Sequence, residues 1–147
     1  MRKSASLFVS LLALQISIAC STEPEPLVYG KDSCYFCKMT LMDKKFGAEL
    51  VTTKGKVYKF DDLNCFLNFY NSGIEEDNNI KYKLVIDYAH SEKFLSATEA
   101  FYLKSSAIRS PMNSEVAAFQ DKAALDKFKK ELKGIYLAWG EVITQFK

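Results

Sequence analysis

The chain has 147 residues, 48% of them hydrophobic and 26% charged, with a formal net charge of +2. That fits one ordinary domain and excludes both a disordered chain and a polytopic membrane protein. Four Cys and four Met stand against a single His, an inventory rich in sulfur that leaves little room for His-based catalysis.

Residues 1–19 carry Arg2 and Lys3 ahead of an apolar run from Ala5 to Ala19. The run is too short to span a bilayer, which takes about 20 apolar residues, so it reads as a secretory signal. Ala19 directly before Cys20 is the pattern of a bacterial lipobox, in which Cys20 is acylated, for instance with palmitate, and becomes the new N-terminus. Ser17 departs from the Leu usual at that position. Arg2 and Lys3 account for the whole excess of 20 basic over 18 acidic residues, so the remainder is balanced and nothing points to nucleic acid. Residues 20–30 then read as a lipid-anchored tether, since Pro24 and Pro26 alternating with Glu23 and Glu25 favour an extended chain. A globular domain fills 31–147.

The expected elements of that domain are α+β. Ala48 to Thr52 and Val57 to Phe60 flank a turn at Gly55 and read as a hairpin. Asp62 stands at an N-cap position, with Leu63, Phe66, Leu67 and Tyr70 following at helical spacing. Asn71-Ser72-Gly73 ends that helix, and 74–80 reads as a polar loop. Tyr82 to Tyr88 is the next strand, with weaker ones at Phe101 to Leu103 and Val116 to Phe119. A second helix runs from Lys122 to Lys133, capped by Asp121, striped by Leu125, Phe128 and Leu132, and stopped by Gly134. Val57, Phe60, Asp62 and Phe69 recur 59 residues later as Val116, Phe119, Asp121 and Phe128, a faint internal repeat.

The chemical signal is Cys34-Tyr35-Phe36-Cys37-Lys38-Met39. Two residues between cysteines let a tight turn bring both sulfurs to one point, for a metal or for a disulfide. In an extended segment Cys37 and Met39 project from the same side, and a thiolate beside a thioether is a soft pair that favours Cu(I). A haem-attachment motif is excluded, because Lys38 stands where it needs His. Cys65 shares a helix face with Phe69 and is either a small buried thiol or a further donor. Asp62 is a helix cap first and a metal-entry group second, Met42 reads as core, and His90 as a surface residue.

The ordered set of Asp32-Ser33-Cys34 to Met39, Phe46-Gly47-Ala48-Glu49, Gly55, Phe60-Asp61-Asp62-Leu63-Asn64-Cys65, Val85 to Tyr88, Ser110-Pro111-Met112, Gly134 and Trp139 resembles the NosL family, lipoproteins of nitrous oxide reductase maturation. The resemblance implies two small related strand-strand-helix-strand units packed as one α+β domain. It implies a non-enzymatic, membrane-anchored Cu(I) chaperone whose domain faces the periplasm, with the outer membrane as the expected host. Its partners would be nitrous oxide reductase and the ABC-type maturation complex. The family's copper ligands map onto Cys37, Met39 and Met112, with Cys34 as an added donor and Cys65 and Asp62 as weaker candidates. Many members have Gly where this chain has Lys38, and the extra Cys34 leaves a Cys-Met and a Cys-Cys-Met site both open. Two rival readings remain: a thiol–disulfide oxidoreductase using Cys34 and Cys37 with Pro111 nearby, and a zinc-stabilised module using Cys34, Cys37, Cys65 and His90.

Overall fold

The computed structural model describes residues 21–146; the expected signal segment and the Cys20 acylation site lie outside the described residues. Two antiparallel sheets are built by the same chain path. In the first unit β1 (Ala48–Thr52), β2 (Val57–Phe60), α1 (Leu63–Asn71) and β3 (Ile80–Ile86) follow one another, and β4 (Phe94–Ser96) extends the sheet to the order β2-β1-β3-β4. In the second, β5 (Phe101–Lys104), β6 (Val116–Phe119), α2 (Lys122–Leu132) and β7 (Ile135–Leu137) give β6-β5-β7. The shared order, with the first strand central, bears out the expected pair of strand-strand-helix-strand units. The residue echo falls on equivalent positions: β2 and β6 are offset by the same 59 residues, and Asp62 and Asp121 are both extended N-caps.

The strands alternate as a half-covered sheet demands. On one face of the first sheet Ala48 and Leu50 pack with Phe60 and Tyr58 against Phe66 and Phe69 of α1. Glu49 and Val51 face the other way, yet both are buried. Their cover is the Pro/Glu segment, which lies on the sheet. Glu25 N–H donates to Glu49 Oε1 at 2.9 Å. Lys59 Nζ contacts Pro26 O and the Glu25 carboxylate. Glu23 binds Lys81 and Tyr82 of β3. At the β1–β2 turn Gly55 has φ +81°, and a Cβ there would stand 2.7 Å from Ser21 O.

The two units are stitched together. Asp87 and Ala118 form a parallel bridge, with Tyr88 N–H donating to Ala118 O at 2.8 Å. Trp139, opening the short helix α3 (Trp139–Thr144), packs against Phe66 and Tyr70 of α1 and Tyr102 of β5.

Several local expectations are corrected. The third strand begins at Ile80, after a single 3-10 turn at Asp77–Asn79, and ends at Ile86. The strands β4 and β7 and the helix α3 carry too few residues to show a period. Gly134 is not the left-handed stop of α2: Lys133 takes that conformation with φ +52°. Gly134 is needed instead for close approach, since a Cβ there would lie 2.6 Å from Lys104 O.

Candidate metal centre

Ahead of β1 the chain makes a small irregular hairpin. Leu41 O accepts from Gly30 N–H, Leu41 N–H donates to Asp32 O, and Ser33 bridges Thr40. At its tip Cys34 N–H donates to Met39 O at 2.8 Å and Lys38 N–H to Cys34 O at 3.0 Å, which folds Cys34 to Met39 into a tight turn. Lys38 closes the turn in the left-handed region, φ +65°, where a side chain costs roughly 1 kcal/mol over glycine. The Lys38 ammonium offsets part of that cost by donating to Tyr35 O at 2.5 Å and lying over the Tyr35 ring. The left-handed residue also means that Cys37 and Met39 are not related by the two-residue repeat of a strand, as an extended segment would require.

The hairpin docks on the side of α1 that bears Cys65 and Phe69, one turn apart and therefore neighbours. Tyr35 N–H donates to Lys59 O at 2.7 Å, and the Tyr35 ring meets Tyr58 and Phe69 edge-on at 4.7 and 5.3 Å. This seat brings Cys34, Cys37 and Cys65 together, with all three sulfurs within 4.8 Å of one another. All are free thiols. Cys34 and Cys65 are buried, and Cys37 is half-buried at the mouth of the cluster. A metal held at about 2.3 Å by three sulfurs in a plane would separate them by about 4 Å, so the cluster needs little closing to accept one.

The sulfurs share protons unequally. A hydrogen bond from the Cys65 thiol holds Cys34 well below the usual thiol range against the effect of burial, helped by backbone hydrogen bonds from Cys37 and Asp61. The same bond, reinforced by burial, pushes Cys65 up. Burial pushes Cys37 up as well. Beside them Asp61 is raised to about 6, first by burial and then by the charge on Cys34. An anionic sulfur enclosed by further sulfur suits a soft cation.

The other candidate residues sit in separate surroundings. Met39 is 54% exposed. Met112 is half-buried in the 110–114 loop of the second unit, and its backbone is clasped to the start of α1: its N–H donates to Asp62 Oδ2 at 2.9 Å, and its carbonyl accepts from Asn64 Nδ2 at 2.9 Å. Asp62 caps α1 through Asn64 N–H, and its Oδ2 also accepts from Ser110 Oγ and Ser114 N–H. That carboxylate is not among the clustered donors. His90 is bound to Asp87, Nδ1 to Oδ2 2.8 Å, and does not join the thiols. Met42, expected in the core, is 69% exposed.

The fold and the thiol cluster together define a small α+β protein of two like units with a sulfur-rich candidate metal centre. The NosL family model matches residues 27–146, and the chain belongs to the NosL family. Its fold is similar to that in the crystal structure of the copper chaperone NosL from Shewanella denitrificans. The TM-score is 0.67 at 20% identity, over 82% of this chain and 96% of that one. No curated protein matches the chain.

Proposed function

We propose that the chain is a Cu(I) carrier that takes up the ion at Cys34, Cys37 and Cys65 and delivers it to a periplasmic cuproprotein. The observation that carries this reading is the convergence of three thiols from two separate elements. Three soft donors select Cu(I) over harder ions. The buried pair, Cys34 and Cys65, retains the ion, and Cys37 at the mouth lets an incoming ligand enter as one sulfur leaves. Met39 and Met112 are auxiliary thioether donors, Met39 on the solvent side and Met112 from the loop clasped by Asp62. Binding displaces thiol protons, since the metal competes with them for sulfur.

The copper chaperone named among the similar structures supports the choice of cargo, and the sequence motifs support nitrous oxide reductase or its ABC-type assembly machinery as the client. In this reading Cys20 carries the lipid after residues 1–19 are removed, and the domain works in the periplasm at the outer membrane. A disulfide oxidoreductase is disfavoured because Cys34, the thiol most inclined to ionise, has no exposed surface. A zinc module is disfavoured because His90 is held away by Asp87.

The test is a Cu(I) titration under reducing conditions against a chromophoric chelator. One tight equivalent is expected, weakened about 100-fold or more by Cys34→Ser, Cys37→Ser or Cys65→Ser, and about tenfold by Met39→Ala or Met112→Ala. Unchanged affinity in all three Cys variants overturns the assignment.

A further inference from the structure

Among the described residues eight large apolar side chains stand exposed, and five of them, Val28, Tyr35, Phe36, Met39 and Met42, belong to the hairpin that carries Cys34 and Cys37. Exposed apolar residues concentrated on one short hairpin need an explanation when scattered single residues would not. Fraying does not supply one. The hairpin is braced by paired backbone bonds and pinned by the Tyr35–Lys59 bond, and its inner side chains Cys34 and Leu41 are fully buried. Phe36, Met39 and Met42 are therefore held open to solvent on a braced support, beside the Tyr35 ring that seats the hairpin.

We infer that this hairpin face is the docking surface for the protein that receives the metal, and that the receiving face is apolar at its centre and acidic at its rim. The inference rests on the carrier reading and adds to it the partner's chemistry. Three observations argue for such an occupant. Cys37 is the one clustered thiol with solvent exposure, so a receiving ligand must approach through this patch. Aromatic and Met side chains dominate it, the types that anchor protein interfaces and adapt to a partner's shape. Exposed Lys31 and Lys38 flank it, and neither forms an ion pair among the described residues. These two unpaired cations favour an acidic rim on the partner and speed its approach. A lipid surface fits less well, because Ser21, next to the proposed lipid site at Cys20, lies at the β1–β2 turn, the far end of β2 from the thiols.

The experiment follows transfer of Cu(I) from the loaded chain to two acceptors, apo nitrous oxide reductase and the small chelator bicinchoninate. In the double variant Phe36→Ser with Met42→Ser, transfer to the protein acceptor should slow at least tenfold while withdrawal by bicinchoninate keeps its rate. Lys31→Glu should slow transfer to the protein severalfold and reduce its dependence on salt. Equal slowing towards both acceptors, or no slowing towards the protein, overturns the proposal. So does sedimentation of the unsubstituted chain with phosphatidylglycerol vesicles that the double variant abolishes, which would assign the patch to membrane. A chain that binds Cu(I) but passes none to the apoprotein, whether alone or with its ABC-type maturation complex, also overturns it. Failure of the carrier reading is distinguishable, since it shows as absence of Cu(I) binding in the titration.

Discussion

The Asp62 carboxylate accepts the backbone N–H of Met112 at 2.9 Å, so the N-cap of the first unit's helix is also the clasp for a loop of the second unit. The same oxygen takes Ser110 Oγ at 2.7 Å and Ser114 N–H at 3.3 Å. Asp121, the equivalent cap in the second unit, accepts among the described residues only from Ala124 N–H at 2.8 Å, near solvent. The two units thus share a cap position and differ in what it holds.

That difference predicts unequal losses. Asp121→Ala should cost about 1 kcal/mol, the usual value of a cap. Asp62→Ala strands buried donors of the 110–114 loop as well and should cost about 3 kcal/mol. Urea denaturation of both variants measures the contrast, and equal losses would mean that the loop does not depend on the clasp. Faster amide exchange at Met112 and Ser114 in Asp62→Ala would locate the damage.

Glu49 predicts a pH dependence. Its side chain is fully enclosed and Oε2 has no partner; burial raises it from the ordinary 4.5 to about 7. A carboxyl raised on folding binds its proton more tightly in the native state. Its contribution is therefore present below about 4.5, is lost as pH rises towards 7, and levels off above that. The loss amounts to about 3 kcal/mol at most. Glu49→Gln keeps an acceptor for Glu25 N–H and removes the charge. It should flatten stability between pH 4.5 and 7 and raise it at pH 8, as thermal melts across that range would report.

Lys38 sits at φ +65°. Lys38→Gly relieves the strain but loosens the unfolded chain, two effects of similar size, so stability should stay within about 0.5 kcal/mol. Lys38→Val places a β-branched residue at positive φ and should cost more than about 1 kcal/mol. If the two variants melt alike, the turn is not held as described.

Two glycines should behave oppositely. Gly134→Ala drives a methyl against Lys104 O and Leu103 and should destabilise by about 2 kcal/mol or more. Gly140 in α3 has nothing within 4 Å of a built Cβ, and Gly140→Ala should stabilise by about 0.5 kcal/mol. A calorimetric comparison of the two decides both.

What could be read from the sequence follows from the range of the forces involved. The hairpin of β1 and β2, α1 with its Asp62 cap, and α2 with Asp121 depend on neighbours along the chain, and their residues declare them. The strand β7 and helix α3 are held by β5 and by Trp139, and a few residues without a period cannot announce that. At the metal centre the Cys34–Cys37 spacing shows that two sulfurs can meet. Cys65 was legible only as lying with Phe69 off the main stripe of α1; that the cysteine hairpin covers this second face is a tertiary event. Met42 misled for the opposite reason, since an apolar side chain in a short loop carries no sign of facing outward. The Pro/Glu segment reads as a spacer by composition, and its seat on the sheet depends on Glu49 and Lys59, two dozen residues or more downstream.

That seat fixes a geometry. Ser21 rests over Gly55 at one end of β2, while Cys34 meets the backbone of Asp61 just past the other end. The four-residue strand between them spans about 13 Å at 3.3 Å per residue. A free six-residue linker would wander over about 12–15 Å in any direction. The docked one replaces that sweep with a single offset. A tether attached at Ser21 would therefore act as a mast rather than a rope, holding the thiols at one height and facing relative to its point of attachment.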